Sequence, residues 1–366
     1  MIKNKNDILF VSGRELNYPR NDLIINALRI FSSVYTIGPQ KRFISRGNYL
    51  KIICHSFIGV IKALIQNIKN GYSYIVIGFF GQFIVPPIAK LTDKYIIFDF
   101  FVSTWDTLVN DRGKVSKNSF LSKVAKKLDQ KSCQASDLIL VDTQANLSFY
   151  NSQLNIPKDK MKVLFVGCNE DMFYPQVVQE DKGLVLYYSS YMPLHGVDIV
   201  VKAAKLLENQ KDLHFLIIGE GQEYQNIQNL AKNLEVKNIN FVPTVPLTEL
   251  PHQIAKASIC LGGHFGASDK AKRVIAGKTF QLLAMAKPTI VGDNNANREL
   301  LTHGRDAWLC TMNDPEALAG AILHLHKHAE LKEEIAQKGY ICFKEKASTE
   351  ILSKHLKNYI TGISVC

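Results

Sequence analysis

Short apolar runs alternate with amphipathic ones along nearly the whole chain. Residues 7–12 (DILFVS) predict a strand ending at Gly13-Arg14-Glu15, and residues 20–31 set Ile24, Ala27, Leu28 and Phe31 on one side of a helix. The same alternation predicts strands over 33–37, 74–78, 95–100, 137–141 and 162–165. Helices are predicted over 54–69, 82–91, 120–135 and 143–150, and FVSTWDTLVNDRG after residue 100 reads as a loop. Residues 166–182, with Pro175 and mixed turn residues, break the pattern and read as a linker. It then restarts, with strands over 183–189, 213–219, 240–242, 258–261, 289–291 and 307–310. Helices follow over 196–208, 222–234, 247–257, 279–286 and 296–301, and more fill the tail from 315 to 359. Helical crossovers between short apolar strands mean parallel sheets covered on both faces. The expectation is an α/β chain of two doubly wound domains, 1–172 and 173–344, with a site in the cleft between them at the carboxyl ends of the strands. A helix at about 345–362 is expected to pack back on the first domain.

Length and composition agree with this division. At 366 residues the chain exceeds one ordinary core, and 46% apolar residues mark a globular protein. The longest apolar run, residues 74–91, is broken by Gly78, Gly81, Gln82 and Pro86-Pro87. It falls short of the roughly 20 uninterrupted residues that spanning a bilayer needs. The basic start runs straight into a strand with no small-residue cleavage site, so no signal peptide is expected. Seven scattered cysteines without a CxxC pair read as reduced thiols in a cytoplasm. His324, His326 and His328 form HLHKH, but only His324 and His328 share a helix face and no carboxylate joins them, so no metal site is expected.

Charge is unevenly placed. Residues 1–180 hold 23 Lys/Arg against 14 Asp/Glu (+9), and residues 181–366 hold 21 against 19 (+2). The excess gathers in residues 41–51 (KRFISRGNYLK) and 112–131 (RGKVSKNSFLSKVAKKLDQK), where cations interleave with Phe43, Ile44, Tyr49, Leu50, Phe120, Leu121 and Val124. That mixture suits an anionic membrane surface, although a lysine-rich solvated surface has the same composition. No nucleic-acid-binding motif accompanies it, and no nucleic-acid partner is expected.

The chemistry gathers in residues 262–292, GGHFGASDKAKRVIAGKTFQLLAMAKPTIVG. Small residues let backbone approach a ligand, and Lys270, Lys272, Arg273 and Lys278 precede or open a helix. Cations and free N–H groups at a helix start suit an anion such as a diphosphate. A solvated basic loop before a core helix would look alike.

The pieces YSSYMPLHGVDIVVKAA, LIIGEGQEY, FVPTVPLTELPHQIAKASICLG and KAKRVIAGKTFQLLAMAKPTIVGDNNANRELL stand in the second half. SGRELNYPRNDLIINAL, IIFDFFVSTWDTLVNDR, ASDLILVDTQANLSFY and VGCNEDMFYP stand in the first. Together and in this order they resemble the GT-B glycosyltransferases, two Rossmann-like domains facing across a cleft, and most closely the retaining family-four enzymes of bacterial cell-surface polysaccharide synthesis. The resemblance implies a metal-independent enzyme without a cofactor. A UDP- or GDP-sugar would be held mainly by the second domain, and a glycan or lipid-linked acceptor by the first. A cytoplasmic location follows, with peripheral attachment to the membrane's inner face. Under it, Gly219-Glu220-Gly221 would turn against the nucleobase or ribose, and Val242-Pro243 would touch the base.

Departures from the family pattern matter. Where many members carry an Arg and a Lys after the first strand of the second domain, this chain reads SSYMPLHG. Ser190 or Tyr191 stands for the Arg and His195 for the Lys, with Ser189 and Gly196 on either side. A neutral histidine donates one hydrogen bond, and its ordinary pKa of about 6.5 makes it a pH-dependent counter-charge. The family's paired glutamates fall on Arg273 and Gln281; Gln281 can bond a ribose hydroxyl, and Arg273 with Lys270 and Lys278 can take the diphosphate. Arg273 and Lys278 are the expected leaving-group stabilisers, with Gly13 and Arg14 closing over the phosphates. Asp99 lies near the place where relatives put an acceptor-site histidine, and Asp106 is the next carboxylate; each has catalytic and structural readings. Arg20 follows Pro19 at a helix start, where an arginine is commonly solvated. A catalytically silent nucleotide-sugar-binding partner and a sugar-nucleotide epimerase on the same fold are the other readings.

Overall fold

Strands of three to eight residues, the inner ones buried along most of their length, form the centre of each of two units. The computed structural model describes residues 8–40, 49–111, 113 and 115–362. One unit takes the chain up to Val166 together with Thr349 onward, and the other is Gly167–Ser348.

The first unit runs β1 (Ile8–Val11), α1 (Pro19–Arg29), β2 (Val34–Ile37), α2 (Tyr49–Asn70), β3 (Tyr74–Ile77) and α3 (Val85–Leu91). It continues with β4 (Tyr95–Asp99), the single turn α4 (Thr104–Asp106), α5 (Phe120–Gln134), β5 (Leu138–Val141), α6 (Gln144–Leu154) and β6 (Met161–Val163). Its parallel sheet has the order β2-β1-β3-β4-β5-β6, so the winding reverses between β1 and β3. Side chains along a strand alternate between the two faces. Ile8, Phe10, Val76 and Ile97 therefore pack against α1 and the terminal helix, while Leu9, Val11, Ile75 and Phe98 pack against α2, α3, α5 and α6.

The second unit runs β7 (Asp181–Tyr188), α7 (Val197–Leu206), β8 (His214–Ile218), α8 (Tyr224–Asn233), β9 (Ile239–Val242), α9 (Leu250–Lys256) and β10 (Ala257–Leu261). Then come α10 (Gly277–Ala284), β11 (Thr289–Gly292), α11 (Asn295–Leu300), β12 (Trp308–Cys310), α12 (Pro315–Lys327) and α13 (Ala329–Lys346). Its parallel sheet reads β12-β11-β10-β7-β8-β9, reversing between β7 and β10. The last helix, α14 (Thr349–Thr361), belongs to the first unit, where Leu352, Leu356 and Ile360 pack with Leu23, Ile24 and Leu28 of α1. Tyr359 also donates to the Val163 carbonyl at 2.8 Å.

Two expectations need correction. Arg20 is not solvated: it is fully buried, with Nη2 2.9 Å from Asp99 Oδ1 and Nη1 donating to the Leu164 and Phe165 carbonyls at 3.0 and 2.7 Å. The guanidinium thus ties α1, the end of β4 and the segment after β6 together. Burial pushes the Asp99 carboxyl up, and the neighbouring guanidinium opposes that rise.

The stretch read as a loop contains α4 and a wider turn over Thr107–Asp111. Its start is capped from another element. Buried Asp129 of α5 accepts from the Thr104 and Trp105 N–H groups at 3.1 and 2.9 Å and from Ser103 Oγ at 2.6 Å. Burial pushes the Asp129 carboxyl up to about 6.

Removing one partner of a buried ion pair leaves an uncompensated charge, so Arg20→Ala is expected to cost the first unit about 3–5 kcal/mol. The exposed α14 pair Lys354–Glu350, at 2.9 Å, is expected to contribute under about 1 kcal/mol. Urea midpoints of Arg20→Ala and Lys354→Ala check the contrast; equal midpoints would contradict it.

Candidate functional site

In a doubly wound sheet the loops leaving the carboxyl ends of the two strands at the reversal point open a crevice. In the second unit those loops are 189–196, after β7, and 262–276, after β10. They are packed backbone against backbone. Phe265 N–H donates to the His195 carbonyl at 3.3 Å, and Gly266 N–H donates to the Leu194 carbonyl at 3.2 Å. Gly196 has φ +66°, and a Cβ there would collide with Phe265 and Gly266. Gly219 and Gly221 serve the same closeness, since a Cβ on either would strike the carbonyls of Ser189 and Ser190. The glycines expected to turn against a nucleobase thus have a packing role, with exposed Glu220 between them.

Lys278 is the centre of this site. It is the second residue of α10, whose first turn has no side-chain cap, so the cation lies at the positive end of the helix. Its ammonium is buried, has no hydrogen-bond acceptor among the described residues, and sits over the Tyr187 ring at 3.9 Å from the centroid. The aromatic face compensates only part of the lost hydration. Burial accordingly lowers the lysine from 10.5 to about 7.

Beside it, His195 and His264 stack at 5.1 Å with ring planes 12° apart. Burial first, and then Lys278, hold both imidazoles down, His264 to about 3 and His195 well below 6.5. For His195, expected as a pH-dependent counter-charge, burial and the neighbouring Lys278 both favour the neutral ring. Ser189 Oγ accepts from Tyr191 N–H at 2.9 Å and lies 2.7 Å from His195 Nδ1. Ser189 donating to Nδ1 would satisfy this chain of groups and leave Nε2–H as the ring's donor.

The remaining candidates fall at known places. Gln281, one turn along α10 from Lys278, accepts through Oε1 from Tyr188 OH at 2.7 Å, leaving its NH2 end as a donor. Lys270 and Arg273 share a turn before α10, with Arg273 N–H donating to the Lys270 carbonyl at 3.0 Å. Val242 ends β9, its carbonyl accepting from Gly219 N–H at 2.9 Å, and Pro243 beyond it is exposed.

Gly13 and Arg14 belong to the first unit, in the loop after β1 at that sheet's own reversal point. Gly13 lies against the Phe80 carbonyl. Arg14 bonds Glu15 at 2.8 Å and lies over Tyr18 and Phe79, 5.1 and 5.3 Å from their centroids. Asp99 is enclosed by Arg20, and buried Asp106 accepts from Asn110 Nδ2 at 2.8 Å. Sequence reasoning overlooked Tyr187, Tyr188 and His264. The paired tyrosines ending β7 and the histidine inside GGHFG were the available signals.

Residues 169–341 match the family described as "Glycosyl transferases group 1". An uncharacterized glycosyltransferase of Haemophilus influenzae is 21% identical over 306 residues, covering 80% of this chain and 77% of its own. Sucrose-phosphate synthase from Thermosynechococcus elongatus superposes with a TM-score of 0.76 at 13% identity, over 99% of this chain and 100% of that one. HepE of Anabaena, solved with UDP-glucose, gives 0.73 at 13% identity over 97% and 99%.

The Lys278 environment predicts a pH signature without any ligand. Between about pH 7 and 10.5 the unfolded chain binds the proton that folded Lys278 has lost, so stability contributed by this position rises with pH over that window. The slope is at most about 1.4 kcal/mol per pH unit. Lys278→Met is expected to be more stable than the parent near pH 6.5, the gap narrowing toward pH 9. Parallel stability curves for the two proteins would contradict the buried, unpaired ammonium.

Proposed function

Residues 169–341 are a group 1 glycosyl transferase domain carried on a GT-B fold, and from that premise we propose a reaction for this chain. It transfers a sugar from a UDP- or GDP-sugar to a glycan or lipid-linked acceptor in cell-surface polysaccharide synthesis. Lys278 carries this reading: a buried ammonium without an acceptor, at the uncapped start of a helix, is completed by a diphosphate. HepE was solved with UDP-glucose, which favours uracil as the base. Retention of configuration follows the family resemblance.

In this reaction the bond from the sugar's anomeric carbon to the β-phosphate oxygen breaks, and its electron pair leaves with the nucleoside diphosphate. The acceptor hydroxyl oxygen forms the new bond and loses its proton. Charge therefore develops on the diphosphate, where Lys278, Arg273 and the first N–H groups of α10 would meet it. Lys278 would leave the Tyr187 face to do so. Neutral His195 would donate from Nε2, and Gln281 would reach a ribose hydroxyl with its NH2 group. Fixed cations and N–H groups perform this stabilisation without a metal or cofactor.

A thermal-shift screen with UDP, GDP and their sugars should name the donor base. With that donor, Arg273→Ala and Lys278→Ala are expected to fold and to lose on the order of 10²–10³ in turnover. Full turnover in both folded variants would remove them from the reaction. Donor binding by the parent without hydrolysis or transfer would instead identify a silent binding partner.

A further inference from the structure

We infer that the face of the first unit built from α2, α3 and α5 docks on an anionic lipid bilayer, with the outer stripe of α2 entering the headgroup–acyl boundary. This rests on the acceptor half of the proposed function for what the bilayer presents, a lipid-linked sugar. The evidence for the surface itself is independent of that reading.

Helix α2 is apolar on two sides. Ser56, Gly59, Val60 and Ala63 face inward, and Val60 and Ala63 join the core under the sheet. Phe57, Ile58, Ile61, Ile65 and Ile68 face outward, exposed at 58, 46, 59, 47 and 84%. At 3.6 residues per turn these five fall within a sector of about 100°. An ordinary surface helix carries polar residues there.

The stripe continues onto its neighbours. Helices α2 and α3 pack together, as do α3 and α5. Leu91 at the end of α3 and Phe120, Leu121 and Val124 at the start of α5 are also exposed. Nine large apolar side chains thus stand exposed on three helices that pack in succession, which marks an interaction site.

Charge decides the occupant. The three helices contain one carboxylate, Asp129, and it is fully buried. Their exposed cations include Lys62, Lys69, Lys90, Lys123, Lys127 and Lys131, none of them ion-paired among the described residues. Exposed carboxylates lie beyond the helices: Asp93 after α3, which pairs with Lys94 at 3.6 Å, and Asp137 after α5. Two copies joined through this face would bring lysines onto lysines. An acidic bilayer accepts both features, apolar side chains below the headgroups and lysine ammonium groups among them. No helix among the described residues is long and apolar enough to cross a membrane, so the attachment is peripheral.

Residues 41–48 of the first basic segment, with Arg112 and Lys114 of the second, lie outside the described residues. The surface described here needs none of them.

Sedimentation of the full chain with phosphatidylcholine vesicles, with and without phosphatidylglycerol, tests the inference. Binding is expected only to the anionic vesicles, falling with added salt. Ile61→Glu/Ile65→Glu, whose side chains face outward, is expected to lower vesicle partitioning at least about tenfold. Lys62→Glu/Lys69→Glu should weaken it and flatten the salt dependence. Circular dichroism and the thermal shift with nucleotide should stay at parent values in both variants, showing that folding and the second unit are intact.

Failure to pellet, equal pelleting with neutral vesicles, or parent-like pelleting of the isoleucine variant would overturn the inference. So would a dimer, seen by light scattering, that the isoleucine variant disperses. Anionic binding that survives while no nucleotide shifts the melting temperature would overturn the transferase reading and leave the docking surface standing.

Discussion

A charge taken out of water must be met by an opposite charge, by hydrogen bonds, or by loss of the proton. This chain uses the first two solutions at Arg20 and the last at Lys278. The Arg20 guanidinium meets Asp99 and two backbone carbonyls, and holds a helix, a strand end and the segment after β6 in fixed relation. Among the described residues Lys278 meets the faces of Tyr187 and Tyr188 and no hydrogen-bond acceptor, and its pKa falls to about 7. Complete satisfaction suits a structural group. Incomplete satisfaction leaves an interaction for a ligand to supply.

The surroundings of Lys278 follow from the same constraint. Burial first, and then the neighbouring Lys278, push the pKa of both His195 and His264 down, which favours their neutral, hydrogen-bonding forms. Glycines bring the loops after β7, β8 and β10 into backbone contact, which a side chain at Gly196, Gly219 or Gly221 would prevent. Loop packing thus fixes the backbone around Lys278.

The first unit solves a different problem at its surface. Its sheet is covered by helices, and α2 offers apolar residues to both sheet and exterior. Composition already placed the basic excess in this half of the chain. The distribution on the folded surface joins that charge to exposed isoleucines, a pairing that fits neither a solvated face nor a contact between like copies.

Alternating apolar and amphipathic runs determined the two doubly wound sheets, because a strand buried on both faces and a helix buried on one have different periods whatever surrounds them. The cationic, small-residue character of residues 262–292 was legible for a similar reason: lysines, arginine and small residues before a helix are local features. Tertiary structure alone decided which charges are buried. Arg20 looks like a solvated helix-start arginine until Asp99, 79 positions away, is brought beside it. His195 looks like an ordinary neutral-pH histidine until the fold buries it beside Lys278, which pushes its pKa down. In α2 the sequence shows apolar residues nearly all round, and only packing against the sheet selects Val60 and Ala63 as the inner face and leaves Ile61, Ile65 and Ile68 outside. Periodicity is carried by neighbours in the chain; burial and pKa depend on neighbours in space.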